Sequence, residues 1–211
     1  MHMNPPKPFS AIPLPAVVNG LEPLATAFES YPMDGQVNWM RSLGGGQLKA
    51  LWYLAEKSDY LLDVDDFARE DGAVTVCRGK NHLPIFSWFE KRFVKIDGEV
   101  VGYNETGWQK SWVGPGHFVL RPSPEIEGEL WVDYRLTPKA THPDFPALHT
   151  NDRLMTWPGP FARLAYGGLL DRLRRVSDHL LIGRSCTQGL SLQAGAFFAL
   201  HLPSYDEVEP D

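Results

Sequence analysis

The run Trp88-Phe89-Glu90-Lys91-Arg92-Phe93 sets three charged residues among three aromatic ones. That mixture is where chemistry is easiest to place. A carboxyl held in apolar surroundings has its pKa raised and serves as a general acid or base. A lysine or arginine there can hold a carboxylate or an enolate oxygen. Similar polar residues recur in the aromatic text that follows. The candidate catalytic residues are Lys91, Glu90, Tyr103 and Asp133. The candidate ligand-contacting residues are Trp88, Arg92, Asn104, Trp108, Trp112, His117, Tyr134 and His149. A buried charge must be paired, neutralised or functional. The bland alternative is a strand with its charged face in water.

Side chains alternate along a strand, so these residues cannot all look the same way. Trp88, Glu90, Arg92 and Val94 share one face, and Phe89, Lys91, Phe93 and Lys95 share the other. Both faces mix rings and charges. Only one can turn inward. The Trp88 face offers the larger aromatic and an acid, whereas the Lys91 face offers two phenylalanines around a cation.

Other familiar chemistries lack their signatures. The seven histidines are scattered, with no spacing typical of a metal site. His142 and His149 share a Pro-rich stretch and read first as exposed loop residues. No Gly-x-Ser-x-Gly elbow marks a serine nucleophile. Gly44-Gly45-Gly46 lacks the Lys-Ser/Thr pair of a phosphate loop and has no strand before it, so it reads as a lead-in to a helix. No cofactor and no metal are called for.

The elements that must position the candidates are strands. Leu83 to Thr106 reads as a long hairpin turning at Asp97-Gly98, a strong two-residue turn signal. From Ala73 onward, short β-rich runs alternate with Pro, Gly and charged clusters: AVTVCRG, WQKSWVG, HFVLRP, ELWVDYRL and AFFALHLP. This texture predicts an all-β antiparallel barrel with minor α content. Residues 137–160 read as a lid or crossover over one barrel end. Before the barrel, Leu24 to Ser30 predicts a short helix stopped by Pro32. Leu48, Leu51, Trp52 and Ala55 recur with helical spacing, so Gln47–Lys57 predicts a helix outside the barrel or plugging one end. The division is therefore 1–72 for an N-terminal arm and helical segment, 73–203 for the barrel and 204–211 for an acidic tail. In GGLLDRLRRVSDHLLIG, Leu169, Leu173, Val176 and Leu180 fit a helical stripe, although strand, turn, strand fits as well.

Two segments carry a resemblance. WFEKRF, with Asn104 on the next arm, is similar to a Trp-x-x-Lys-x-Phe strand. YGGLLDRLRRVSDHLLIG is similar to a closing hairpin with Asp, a basic residue, Val and an acidic turn. Both resemble the small lipocalin-like (calycin) barrels of uncharacterised bacterial proteins named for a GXWXG motif. That motif is absent here, since MDGQVNWMRSLGGG spaces its Trp and glycines differently. The resemblance implies that residues 169–183 are strand, turn, strand and that Lys91 takes the inward face.

Bulk properties bound the function. The chain has 211 residues, 43% hydrophobic and 22% charged, which are globular values with room for a buried core. A net charge of −6 disfavours nucleic acid and anionic membranes as partners. No stretch approaches the roughly 18 apolar residues of a membrane span. The Pro-rich start does not read as a secretory signal. Cys77 and Cys186 read as reduced thiols, so the expected compartment is the cytoplasm. Aromatic content is 12%, including seven tryptophans, and suits a ligand pocket as well as a core. Two functions fit. One is a cofactor-independent enzyme doing acid–base chemistry on a small hydrophobic or aromatic metabolite, of lyase, isomerase, dehydratase or cyclase type. The other is a carrier of a lipid, haem or similar ligand. A homodimer stays open.

Overall fold

A computed structural model describes residues 20–67, 72–82, 87–105, 114–146, 150–151, 154–155, 166–187 and 195–204. Its centre is a closed antiparallel barrel of eight strands, compatible with a lipocalin-like fold. The strands are β1 (Thr75–Asn81), β2 (Trp88–Ile96), β3 (Glu99–Glu105), β4 (Phe118–Pro122), β5 (Leu130–Asp133), β8 (Leu169–Arg175), β9 (Leu180–Thr187) and β10 (Phe197–His201). Each pairs with the next of these in chain order, and β10 closes the barrel on β1. The remaining two strands, β6 (Thr150–Asn151) and β7 (Leu154–Met155), pair only with each other. The β2–β3 turn has φ of 52° at Asp97 and 77° at Gly98, and such positive angles at both central residues match the right-handed twist of a hairpin.

One end of the barrel is plugged. The segment before β1 forms a short 3-10 turn at Val64–Asp66. Leu62 and Phe67 are buried with the interior residues Phe93, Val100, Leu120, Leu130, Leu173 and Leu181, and the Phe67 ring lies 4.5 Å from that of Phe93. Lys95 binds Asp65 at 3.1 Å, and Arg175 binds Asp66. These ion pairs pin the plug to β2 and β8. The opposite end is the one from which β1, β3, β5 and β9 leave the barrel.

Three helices lie outside the barrel: α1 (Glu22–Glu29), α2 (Met33–Ser42) and α3 (Gly45–Ala55). Leu24 and Phe28, Trp39 and Met40, and Leu48, Leu51 and Trp52 face Val176, Leu180, Ile182 and Ala199 on the outer side of β8–β10. The predicted Gln47–Lys57 helix is thus α3, packed on the wall rather than in an end. Its glycine lead-in is locally satisfied, since the Gln47 side chain accepts from the Gly44 backbone N–H at 2.7 Å. α2 was not legible in the sequence. It begins after Pro32 with Asp34 in its first turn and Arg41 in its last, matching the helix dipole.

Residues 169–183 form strand, turn, strand, as the resemblance implies. Their helical look has a physical cause. Leu169, Leu173 and Leu181 face the interior, and Val176, Leu180 and Ile182 face the helices. A strand buried on both sides loses its period-2 signal. Among the described residues, no helix is long and apolar enough to cross a membrane.

The plug is a stability element. Phe67→Ala should cost about 3–5 kcal/mol, because a fully buried ring leaves a cavity that the pinned segment cannot close. Urea unfolding measures it, and a loss under about 1 kcal/mol would mean that the plug does not seal the core.

Candidate functional site

Strand register brings one set of polar side chains to the interior. Lys91 on β2 lies opposite Cys77 on β1 and opposite Asn104 on β3. Across the barrel, Asp171 on β8 lies opposite Ser185 on β9. Tyr134 follows the last residue of β5. Lys91, Asn104, Asp171 and Ser185 all sit toward the strand ends away from the plug. The interior is therefore layered, apolar near the plug and polar toward the other end.

Lys91 Nζ donates to Asn104 Oδ1 at 2.8 Å and to Asp171 Oδ2 at 3.1 Å, and it contacts Tyr134 Oη. An ammonium has three donors and no acceptor, so these partners satisfy it fully. Tyr134 Oη lies 3.2 Å from Asp171 Oδ2 and receives the Asn104 amide at 2.9 Å. Ser185 Oγ donates to the other Asp171 oxygen at 2.7 Å. Tyr166 stacks on Tyr134, with centroids 5.3 Å apart. Lys91 and Asp171 are each only 2% exposed.

Four rings surround the lysine head: Tyr134 at 5.0 Å, Phe118 at 5.2 Å, and Phe89 and Phe198 at 5.5 Å. The three phenyl groups are seated by glycines. Phe89 pairs with Gly79, Phe118 with Gly102 and Phe198 with Gly183. A Cβ at those glycines would lie 2.5 Å, 2.7 Å and 2.1 Å from the respective rings. Only glycine lets each ring fold onto the neighbouring strand.

Burial drives the electrostatics. It pushes the Lys91 pKa down, and the Asp171 carboxylate offsets this only in part. Burial and the Asp171 charge push the Tyr134 phenol well above its usual range. Burial raises Tyr166 to about 12, against a hydrogen bond with Asn104 that lowers it. The centre thus holds a lysine with a lowered pKa, an aspartate and a phenol kept protonated, all in mutual contact. That arrangement can pass a proton.

Of the predicted residues, Lys91, Asn104 and Tyr134 come together. The other predicted residues that are described do not join them. Tyr103 lies on the outer side of β3, bonded to Glu105 at 3.2 Å and packed 4.7 Å from the Phe145 ring. His117 stands beside Tyr103, 6.0 Å between centroids. Glu90 and Arg92 pair with each other at 3.4 Å on the part-exposed outer face. Trp88 is 48% exposed, with Lys80 and Arg41 against its ring. Asp133 is buried on the outer side of β5 between Arg121 at 2.8 Å and Arg135 at 2.7 Å. Burial alone would raise its pKa, and hydrogen bonds from the two guanidinium groups outweigh that and lower it. Trp108, Trp112 and His149 lie outside the described residues. His142 bonds the Asp144 backbone and meets Phe145. Cys77 is a buried thiol, and Cys186 a half-buried one.

Sequence reasoning missed Asp171, Ser185 and Tyr166 as site residues. A signal for Asp171 existed: in strand register it shares a face with Leu169 and Leu173, and a carboxylate on an apolar face needs a partner. Among the described residues, no group of three or more His, Cys, Asp or Glu side chains could hold a metal ion. Compared with known protein families, curated proteins and solved structures, the chain matches none of them significantly.

Two outcomes follow from the buried pair. Lys91→Met should destabilise the protein by about 3–5 kcal/mol, because it strands Asp171 without a countercharge, and adding Asp171→Asn should recover much of that loss. Chemical denaturation of the three proteins checks it; an equal loss in both variants would mean that packing, not charge, dominates. The second outcome concerns alkaline pH. Tyr134 and Tyr166 have folded pKa values above the unfolded value of 10.0, so their contribution is complete below pH 10.0 and is lost as pH rises through the folded values. Phenolate absorbance should show both staying neutral at pH 11 or so while exposed tyrosines ionise.

Proposed function

We propose that the barrel binds a small apolar or aromatic molecule with a neutral polar head, and that Lys91, Tyr134 and Asp171 move a proton on it. The observation that carries this reading is the contact of three titratable groups at one point, ringed by aromatic walls. Such a cluster is a costly way to fill a barrel. A buried ion pair is often no more stabilising than apolar residues of the same volume, so its presence favours a functional role. The apolar interior supplies the rest of a binding site.

The chemistry selects the class of ligand. Lys91 and Asp171 together are neutral when both are ionised, and negative when the lysine loses its proton. Neither state favours a carboxylate. A ketone, aldehyde or alcohol oxygen can replace Tyr134 or Asn104 as a partner of Nζ without adding charge. In the reaction, Asp171 takes a proton from carbon next to a carbonyl while Lys91 and Tyr134 donate to the carbonyl oxygen. This is isomerase or lyase chemistry without a cofactor. The carrier reading keeps one specific support: all three Nζ donors are already used, as a holding site that does no chemistry would allow.

Benzylacetone and hydrocinnamic acid test the reading, as a matched neutral ketone and carboxylate. Calorimetry should find the ketone at least about ten-fold tighter, equivalent to about 1.4 kcal/mol. In deuterated buffer, proton magnetic resonance should show exchange at its α-carbons, lost in Asp171→Asn. Binding without exchange selects the carrier. Preference for the carboxylate, or no binding by either, sinks the proposal.

A further inference from the structure

The groups around Lys91 Nζ do more than supply a proton donor. An amine that attacks a carbonyl needs a lone pair, a route for its protons and a countercharge for the product. Asp171 Oδ2, 3.1 Å from Nζ, can take the proton that frees the lone pair. Tyr134 Oη touches Nζ and lies 3.2 Å from the same carboxylate oxygen, so it can relay a proton between nitrogen and a bound oxygen. Ser185 holds the second Asp171 oxygen at 2.7 Å, which fixes the direction of the first. Asn104 Oδ1 at 2.8 Å accepts a further N–H and orients the amine. The three phenyl rings at 5.2–5.5 Å favour an aromatic or conjugated body next to the nitrogen and also receive a cationic product.

We propose that Lys91 forms a protonated imine with an apolar aldehyde or ketone, with Asp171 as its counter-ion. This rests on the binding reading above and names its substrate class. The step balances. The Lys91 ammonium gives one proton to Asp171. Its nitrogen attacks the carbonyl carbon, a C–N bond forms and the C=O π bond opens. Tyr134 passes a proton from nitrogen to the new oxygen. Asp171 returns its proton to that hydroxyl, the C–O bond breaks and water leaves. The product is a C=N–H cation beside an ionised Asp171. Three hydrogens on the ammonium become two on water and one on the imine. The lowered pKa of Lys91 assists the first step.

Cinnamaldehyde with sodium cyanoborohydride tests this on the whole chain, with cinnamyl alcohol as the partner that cannot form an imine. Peptide mass spectrometry should find reduced adduct on Lys91 at least ten-fold faster than on the exposed residues Lys49, Lys57 and Lys139. Excess cinnamyl alcohol should suppress it, and the doubly substituted Lys91→Met, Asp171→Asn protein should lose it while staying folded by circular dichroism. If cinnamyl alcohol binds by calorimetry but Lys91 labels no faster than the surface lysines, the imine is overturned and the binding reading stands. If neither compound binds and Lys91 is unlabelled, both fall.

Discussion

A lysine ammonium inside a barrel must be compensated from every side. Moving such an ion out of water costs several kcal/mol even after relaxation. Each feature of the interior answers that cost. Asp171 supplies charge, Tyr134 and Asn104 supply hydrogen-bond partners, and the surrounding π faces supply weaker attraction. These partners come from β2, β3, β4, β8, β10 and the residue after β5. No single hairpin could gather them. Closure of the barrel is what makes the ion affordable.

The hairpin at Asp97-Gly98, the strand text around it and the stripe of α3 were legible because each depends on local chemistry. Strand parity across the barrel was not. Asn104 and Tyr103 are adjacent, as are Tyr134 and Asp133, and one of each pair faces inward. Sequence names both candidates, and only cross-strand register selects between them. Lys91 pairs with Asn104, so Tyr103 is committed to the outside. Val132 pairs with Asp171, so Tyr134, two residues on, shares the inward face and Asp133 does not. The same parity sends Glu90, Arg92 and Trp88 outward together.

The closing hairpin shows a different limit. Its strands are apolar toward the interior and apolar toward the helices. Local pattern then reads as a helix, and the correct reading needs knowledge of what lies on the far side. α2 went unread for a related reason. Gly35 and Gln36 interrupt its pattern, and the Gln36 side chain is buried against His201 at 2.8 Å instead of facing water.

The two walls carrying the ion pair are braced unequally. The β8–β10 wall, with Asp171, is clamped by three helices and by Glu29 bonding His179 at 2.6 Å. The β2–β4 wall, which carries Lys91 and Asn104, is backed by the smaller cluster around Phe145. Any outward displacement of β2 would therefore carry the amine away from the more heavily braced acid. Coulomb attraction falls with separation, so each outward excursion of β2 weakens the hold on the Lys91 proton. The unequal backing of the two walls thus ties the basicity of a central amine to how firmly one side of the barrel is held.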